Sequence, residues 1–222
     1  MLYYYTDLGE KEMNKILKNK KWVLLIILVV IFISFSISVI LDGLNNFDSR
    51  LYNLISKLRL GNFFRYVTEL GDAFVFFILI LLVFSLTKSK KYTVLLSLNL
   101  AGIAMLNFLL KNIFTRERPV GIASILETGF SYPSGHSSVS AAFYIYLAYI
   151  LVTNVNKKWI KCITIALFSA LVLSIGISRI YLGVHYASDV IAGLTLGTIY
   201  TILFIHFTRN IKFLEDKKSK KK

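Results

Sequence analysis

Cysteine, proline and acidic residues are scarce in this chain of 222 residues, which has one cysteine, two prolines and 12 Asp and Glu residues against 26 Lys and Arg. The single cysteine, Cys162, excludes an intramolecular disulfide and a metal site built on cysteines. No small-residue cleavage site follows the first apolar run, so we expect a retained helix and not a cleaved signal peptide. There is no internal repeat, and the length suits one domain.

The shortage of acidic residues leaves a formal net charge of +14. In a soluble protein, this charge would suggest binding to nucleic acid. The chain, however, is 56% hydrophobic with a mean hydropathy of +0.65, which fits a protein that crosses the membrane several times. Most of the charge lies in short Lys-rich segments between apolar runs, where it orients the chain in the bilayer. We therefore expect a lipid bilayer as partner and no nucleic acid.

Six apolar stretches approach the roughly 20 residues that a helix needs to cross a bilayer. They lie near residues 22–41, 69–87, 92–113, 137–153, 159–178 and 187–207. The second is the weakest because its strictly apolar part, Ala73 to Leu86, is short. The sequence thus predicts an all-α integral membrane bundle of six transmembrane helices. The predicted regions are an N-terminal segment at 1–21, the membrane domain at 22–207 and a basic tail at 208–222.

The distribution of Lys and Arg predicts the orientation of this bundle. Of the 26 basic residues, 18 lie in residues 1–21, 87–91, 154–161 and 207–222. Basic residues favour the cytoplasmic side, so we expect both termini to be cytoplasmic. The connections that then face outward are residues 42–68, 114–136 and 179–186.

The first outward connection carries apolar residues at helical spacing, namely Phe47, Leu51, Leu54, Ile55 and Leu58. This pattern indicates a short amphipathic helix at the outer surface, between the first two spans. A plain packed connection is an equally good interpretation of the same residues.

Three polar clusters fall on the predicted outer side and contain both prolines and two of the three histidines. They are Lys111 to Pro119, which ends in Arg118-Pro119; Pro133-Ser134-Gly135-His136; and Ser178 to Asp189, with Arg179 and His185. Charged residues at the edge of such apolar runs indicate a functional site.

The clusters supply groups that bind an anion. Lys111, Arg118 and Arg179 are cations, and the guanidinium fork suits phosphate oxygens. Ser134 and Gly135 open a helix, whose free N–H groups and positive dipole end favour negative charge.

The third cluster also supplies a nucleophile. His185 and Asp189 are four residues apart, so they share a face of one helix. The carboxylate can accept the proton of one ring nitrogen and leave the other nitrogen free to attack. Phosphoryl transfer needs mainly positioning and charge stabilisation, which these groups supply without a metal or another cofactor.

The three clusters resemble the three-part signature of the type 2 phosphatidic acid phosphatase family, which includes membrane lipid phosphatases, soluble acid phosphatases and vanadium haloperoxidases. Every signature position is filled between Lys111 and Asp189. The resemblance implies that His185 attacks phosphorus to form a phosphohistidine and that Asp189 orients His185. It implies that His136 protonates the leaving oxygen and then activates water. The phosphate ligands that it implies are Lys111, Arg118, Ser134, Gly135 and Arg179.

Several other polar residues are ambiguous in the sequence. Arg116 and Tyr132 are weaker candidates for the surroundings of the site, and an interfacial position explains Tyr132 at least as well. Asp72 and Glu127 are interpreted as loop or helix-end charges.

The resemblance and the predicted topology together imply metal-independent removal of phosphate from a membrane lipid phosphate or isoprenoid diphosphate. We expect this at the outer face of a bacterial-type plasma membrane. Undecaprenyl diphosphate is the first choice of substrate, because an outward site in a compact chain suits recycling of that carrier; phosphatidylglycerophosphate or phosphatidate is the second. A lipid or anion transporter is the alternative from another class, and an inactive scaffold is a third. The oligomeric state stays open.

Overall fold

A computed structural model describes residues 2–125 and 127–209, with side chains from residue 20 onward. Within these ranges, the chain forms eight α-helices and no β-strand, which confirms the all-α prediction. The helices are α1 (Leu2–Ile40), α2 (Asn45–Ile55), α3 (Gly61–Glu69), α4 (Ala73–Thr87), α5 (Lys90–Phe114), α6 (Gly135–Thr153), α7 (Lys158–Tyr181) and α8 (Ala187–Thr208). A short 3₁₀ helix, Ser56–Leu58, follows α2. The part of the expected basic tail beyond Arg209 lies outside the described residues.

Among the described residues, five helices are long and apolar enough to cross a membrane, namely α1, α5, α6, α7 and α8. The expected second span, 69–87, is instead the later part of a broken pair, because α4 begins at Ala73 and α3 meets it at an angle of 55°. The break lies at Gly71, where an added Cβ would lie 3.0 Å from the side chain of Ile175. Counting α3 and α4 as one bent span gives the predicted total of six.

Helix α6 forms the centre of the bundle and contacts α5, α7 and α8. Some 61% of its span is buried, compared with 17% for the spans of α1 and α7. The start of α6 lies against α8, since an added Cβ on Gly193 would be 2.6 Å from the carbonyl oxygen of Ser134. The backbone N–H of Ser134 also donates to the carbonyl of Asp189 at 3.0 Å. The second and third polar clusters are therefore neighbours.

The connection between α1 and α4 contains more structure than the single amphipathic helix of the prediction. Its helix α2 places Phe47, Leu51 and Ile55 against a core cluster formed by Ile180, Ala187 and Val190. Leu54 and Leu58, which share the apolar pattern in the sequence, are exposed. The second helix, α3, packs along α7. Both helices therefore reach the end of the bundle where α7 stops and α8 begins.

Candidate active site

The short turn between α7 and α8 places His185 beside the first turn of α8. Gly183 has a φ of +70°, and an added Cβ there would collide with the backbone carbonyl of Ile122, so the turn requires glycine. His185 Nδ1 lies 3.3 Å from Asp189 Oδ2. The same oxygen accepts the backbone N–H of Tyr186 at 3.0 Å. The buried carboxylate thus fixes the orientation of the imidazole ring.

His185 is neutral at pH 7. Burial lowers the pKa of His185 to about 4; Arg179 and Lys111 add to this effect, whereas Asp189 opposes it. The second ring nitrogen, Nε2, lies 3.2 Å from Nη1 of Arg118. A guanidinium can only donate, so Nε2 accepts and the ring proton sits on Nδ1, facing Asp189. The lone pair of Nε2 therefore points toward a cation.

The cations of the first cluster are held by the long connection between α5 and α6. Lys111, in the last turn of α5, donates to the backbone carbonyl of Phe130. Arg118 donates at 2.9–3.1 Å to the backbone carbonyls of Thr128, Gly129 and Val184. These contacts hold both side chains at the end of the bundle where His185 lies.

Arg179 is the most deeply buried cation of the site, with 1% of its side chain exposed. Its Nη1 donates to Thr68 Oγ1 at 2.8 Å, and its Nη2 is paired with Glu127. Among the described residues, its Nε has no hydrogen-bond partner. An unpartnered buried N–H is costly, so this donor is well suited to an incoming anion.

The second cluster begins α6 beside Lys111. The hydroxyl of Ser134 caps the helix. An added Cβ on Gly135 would lie 3.3 Å from Oδ1 of Asn107 and 3.9 Å from Cε of Lys111, so α6 begins close to α5. His136 follows, and its Nε2 lies 2.8 Å from Asp72 Oδ1 at the start of α4. The helix end therefore presents an imidazole that is held by a carboxylate.

A pocket of about 490 Å³ opens at this end of the bundle. Two predicted site residues, His136 and Arg179, line it. Further polar groups in the wall are Arg65, Thr68, Glu69, Asp72, Ser124 and Glu127. The pocket is thus large enough for a phosphate headgroup and is surrounded by charge.

Glu127 forms ion pairs with two of the cations that the sequence assigns to phosphate binding. Its carboxylate is paired with Arg179 and lies 3.6 Å from Nη2 of Arg118. Burial alone would raise the pKa of Glu127, but Arg179, His136 and Arg118 together lower it below its usual value. The group is therefore an ionised carboxylate between two guanidinium groups, which is the position expected for a phosphate.

Arg116 contacts the carboxylate that holds His185. Its Nη1 donates to Asp189 Oδ1 at 2.6 Å, and its Nη2 donates to Asp48 Oδ2 at 2.8 Å. Burial would lower the pKa of Arg116, but Asp189 and Asp48 raise it above its usual value. The structure thus gives this ambiguous residue a definite contact with the carboxylate that orients His185.

Tyr132 faces the first helix. Its hydroxyl lies 2.9 Å from Oγ of Ser36, and its ring is 6.4 Å from that of Phe32 and 4.8 Å from that of Phe114. Burial raises the pKa of Tyr132 to about 12. These contacts indicate a packing role for the side chain.

Sequence reasoning missed four residues that contact the predicted site groups, namely Asp48, Thr68, Asp72 and Glu127. One signal was available. Most basic residues of the outward connections are arginines in apolar surroundings, and buried arginines require acidic partners. With only 12 Asp and Glu residues in the chain, those in the outward connections were the natural partners.

Comparison with known proteins shows which family the chain resembles. The family model of the PAP2 superfamily matches residues 91–213. Phosphatidylglycerophosphatase B of Bacillus subtilis (strain 168) is 36% identical over 118 residues, which are 51% of this chain and 56% of that protein. The chain thus spans little more than half of this relative. Undecaprenyl-diphosphatase of Sulfolobus acidocaldarius is 26% identical over 207 residues, which are 87% of this chain and 95% of that protein.

The fold is shared with solved structures as well. The crystal structure of a transmembrane PAP2 type phosphatidylglycerolphosphate phosphatase from Bacillus subtilis matches with a TM-score of 0.77 and 28% identity, covering 85% of this chain and 97% of that chain. The structure of Aquifex aeolicus LpxE matches with a TM-score of 0.55 and 26% identity, covering 71% and 93%. Since the family model matches more than half of the sequence, this chain belongs to the PAP2 superfamily and shares the fold of its transmembrane members.

Proposed function

We propose that this protein removes phosphate from a membrane lipid phosphate or isoprenoid diphosphate through a phosphohistidine, without a metal. The observation that carries the proposal is the state of His185. Its ring is neutral, Asp189 holds Nδ1 at 3.3 Å, and the Nε2 lone pair faces Arg118 at 3.2 Å. A neutral imidazole with one nitrogen held and the other directed at an anion site is suited to attack on phosphorus.

The proposed reaction has two steps. In the first, Arg118 transfers its hydrogen bond from Nε2 of His185 to a phosphate oxygen, and the freed Nε2 lone pair attacks phosphorus. The bond from phosphorus to the lipid oxygen breaks, and His136 gives that oxygen a proton. In the second, His136 takes a proton from water, the resulting hydroxide attacks phosphorus, and the phosphorus–nitrogen bond breaks to release phosphate. Asp72, at 2.8 Å from His136 Nε2, holds that ring and stabilises its protonated form.

Charge in the transition state falls on the phosphate oxygens. Arg118 and Arg179 are fixed beside the nucleophile, and the unpartnered Nε of Arg179 is free to donate. Once the substrate has displaced Glu127 from these arginines, donors held by the fold need little further rearrangement when the charge develops, which is the main source of catalysis in phosphoryl transfer. Lys111 and the start of α6 at Ser134 and Gly135 add further positive potential.

Undecaprenyl diphosphate is our first choice of substrate. A relative with this activity in its name, the undecaprenyl-diphosphatase of Sulfolobus acidocaldarius, aligns with 87% of the chain. The exposed Arg65 in the wall of the pocket offers a cation to a second phosphate. Phosphatidylglycerophosphate is the second choice, favoured by the relative and the solved structure from Bacillus subtilis that are named for it. The site is proposed to face outward, as the Lys-rich segments on the other side favour.

The decisive experiment measures phosphate release by the purified protein, in detergent and with a chelator present, from a panel of lipid monophosphates and diphosphates. We expect release from at least one lipid, and none from His185→Ala protein. His206→Ala is the matched control, because His206 lies in the last turn of α8, next to Trp22 at 5.1 Å between ring centroids. A wild-type protein that releases no phosphate from any lipid would favour the transporter alternative instead.

A further inference from the structure

A continuous line of charged groups connects α2 to the nucleophile. Asp48 Oδ2 accepts from Arg116 Nη2 at 2.8 Å, and Arg116 Nη1 donates to Asp189 Oδ1 at 2.6 Å. Asp189 Oδ2 then lies 3.3 Å from Nδ1 of His185. Asp48 and Asp189 are 3% and 0% exposed, and the Arg116 side chain is 15% exposed. Groups from three distant parts of the sequence thus form one network.

The network fixes both oxygens of the carboxylate that holds the nucleophile. Oδ1 of Asp189 is engaged by Arg116, and Oδ2 is engaged by His185 and the N–H of Tyr186. Because the carboxylate cannot rotate without losing a charge-assisted hydrogen bond, the His185 ring has one orientation.

Asp48 fixes Arg116 in turn and attaches α2 to the start of α8. Its Oδ1 accepts the backbone N–H of Ser188 and its Oδ2 accepts the Ser188 hydroxyl, both at 2.8 Å. Arg116 Nη1 also donates to this hydroxyl at 2.7 Å. Ser188 is next to Asp189, so α2 contributes to the geometry of the catalytic turn itself.

The charges of the network also act on His185. Without Asp48, the positive charge of Arg116 would offset the negative charge of Asp189 and weaken the interaction of Asp189 with the imidazole. Asp48 shares Arg116 and offsets its positive charge, so Asp189 remains an effective acceptor for the His185 proton. In a buried site, such effects are weakly screened.

We propose that Asp48 and Arg116 are positioning residues, which set the orientation and the basicity of the His185 nucleophile through Asp189. The inference rests on the proposed phosphatase reaction. Neither residue lines the pocket that contains His136 and Arg179; Arg116 lines a separate cavity of about 680 Å³ together with Glu117 and Tyr186. Their loss is therefore expected to lower kcat, whereas KM should stay within about twofold.

The test is the pH dependence of kcat/KM for wild type, Asp48→Asn, Arg116→Gln and the double variant, on a lipid phosphate that the wild type cleaves. The acidic limb reports protonation of the free enzyme. The charged groups facing His185 are Arg118 from the α5–α6 connection, Lys111 from α5, Arg179 from α7 and Asp189 from α8. These groups and the ionisation of the substrate are the same for all four proteins. A difference in the pH of the acidic limb therefore measures the effect of Asp48 and Arg116.

The two single variants should move the acidic limb in opposite directions. Removing the negative charge of Asp48 disfavours the imidazolium and moves the limb to lower pH. Removing the positive charge of Arg116 favours the imidazolium and moves the limb to higher pH. The double variant should return toward the wild-type position, and each single variant should lose about 10-fold or more in kcat, since partners that orient a primary catalytic group commonly matter at this level.

The inference is overturned if the active variants have the same acidic limb as wild type, or if both single variants move it in the same direction. The network would then be purely structural. Asp42→Asn is the matched control, because Asp42 is exposed near α2 and undergoes the same change of charge. Arg116→Lys keeps the charge if Arg116→Gln does not fold; we expect an unmoved limb and a reduced kcat, and a full wild-type kcat would also overturn the inference. An inactive wild type would instead contradict the proposed function itself.

Discussion

At the scale of single residues, the proposed chemistry depends on one imidazole that stays neutral among cations. Three arginines and a lysine surround His185 and Asp189, yet the only contact of a cation with the His185 ring is Arg118 to Nε2, among the described residues. Burial is the largest cause of the lowered pKa of His185, and the cations reinforce it. In the proposed reaction, His185 therefore needs no separate base to act as nucleophile at neutral pH.

Glu127 is paired with Arg118 and Arg179, so in the proposed reaction it has to give way to the substrate phosphate. Glu127→Gln removes the negative charge and keeps the shape, so we expect KM for a lipid phosphate to fall by about 3-fold or more, as the cost of breaking two ion pairs is removed. The measurement is KM at pH 7. Glu117→Gln is the control, since Glu117 is exposed in the same connection. An unchanged or higher KM would show that the carboxylate does not occupy the phosphate position.

Arg65 tests the preference for a diphosphate. It is an exposed residue of α3 in the wall of the pocket that contains His136 and Arg179. Arg65→Ala should raise KM for an isoprenoid diphosphate by about 3-fold or more and leave KM for the monophosphate within about twofold, because the monophosphate has no second group for Arg65. Arg50→Ala, on the exposed face of α2, is the control. Equal effects on both substrates would contradict this role.

At the scale of elements, the site is built from ends of helices. The last turns of α5 and α7 bring Lys111 and Arg179, and the first turns of α6 and α8 bring His136 and Asp189. Helix ends suit this task because their backbone groups are partly free and their side chains leave the apolar layer. The position of His185 relative to these ends depends on the tight turn after α7.

Gly183 makes that turn sensitive to substitution. Gly183→Ala should destabilise the protein by at least the roughly 1–2 kcal/mol that the left-handed region costs an L-residue, with an additional collision with the Ile122 carbonyl. The rate of phosphate release should fall by more than the loss of folded protein explains, because this turn positions His185, which follows two residues later. Gly121→Ala is the matched control: its φ is +79° and no atom lies within 4 Å of the added Cβ. Thermal unfolding and phosphate release are measured together, and equal effects of the two changes would contradict the expectation.

The elements also show where pattern-based prediction ends. The five long spans could be predicted, because an apolar run of 20 residues has one stable state in a bilayer. The bend between α3 and α4 could not, since it depends on the packing of Gly71 against the distant Ile175. Likewise, the inward face of α2 is set by its contacts with Ile180 and Val190.

At the scale of the whole molecule, the site groups lie at one end of the bundle, and the Lys-rich connections at 87–91 and 154–161 join the other ends of the same helices. This asymmetry supports the outward orientation that we propose. The polar pocket of about 490 Å³ lies at the same end of the bundle as the site groups. A lipid could then present its phosphate to the pocket while its tail stays in the bilayer.

Orientation is tested by a cysteine at position 124. Ser124 is exposed and lines the pocket, and Cys162 is changed to Ala to leave one thiol. We expect Ser124→Cys protein in intact cells to react with a membrane-impermeant thiol reagent added from outside. Lys88→Cys, in a connection predicted to be cytoplasmic, should react only after the cells are opened. The reverse pattern of labelling would overturn the orientation.

The sequence by itself determined the all-α class, the apolar spans and the three clusters that carry the family signature. These features are local: hydrophobic runs, short spacings and the four-residue step from His185 to Asp189 are independent of distant parts of the chain. Only the tertiary structure decided which acidic residue meets which cation. Arg116 and Asp48 are 68 residues apart, and Arg179 and Glu127 are 52 apart. Such pairs form because the bundle excludes water from these arginines, and a buried guanidinium group needs a carboxylate partner. The partners come from distant parts of the chain, which only the fold brings close.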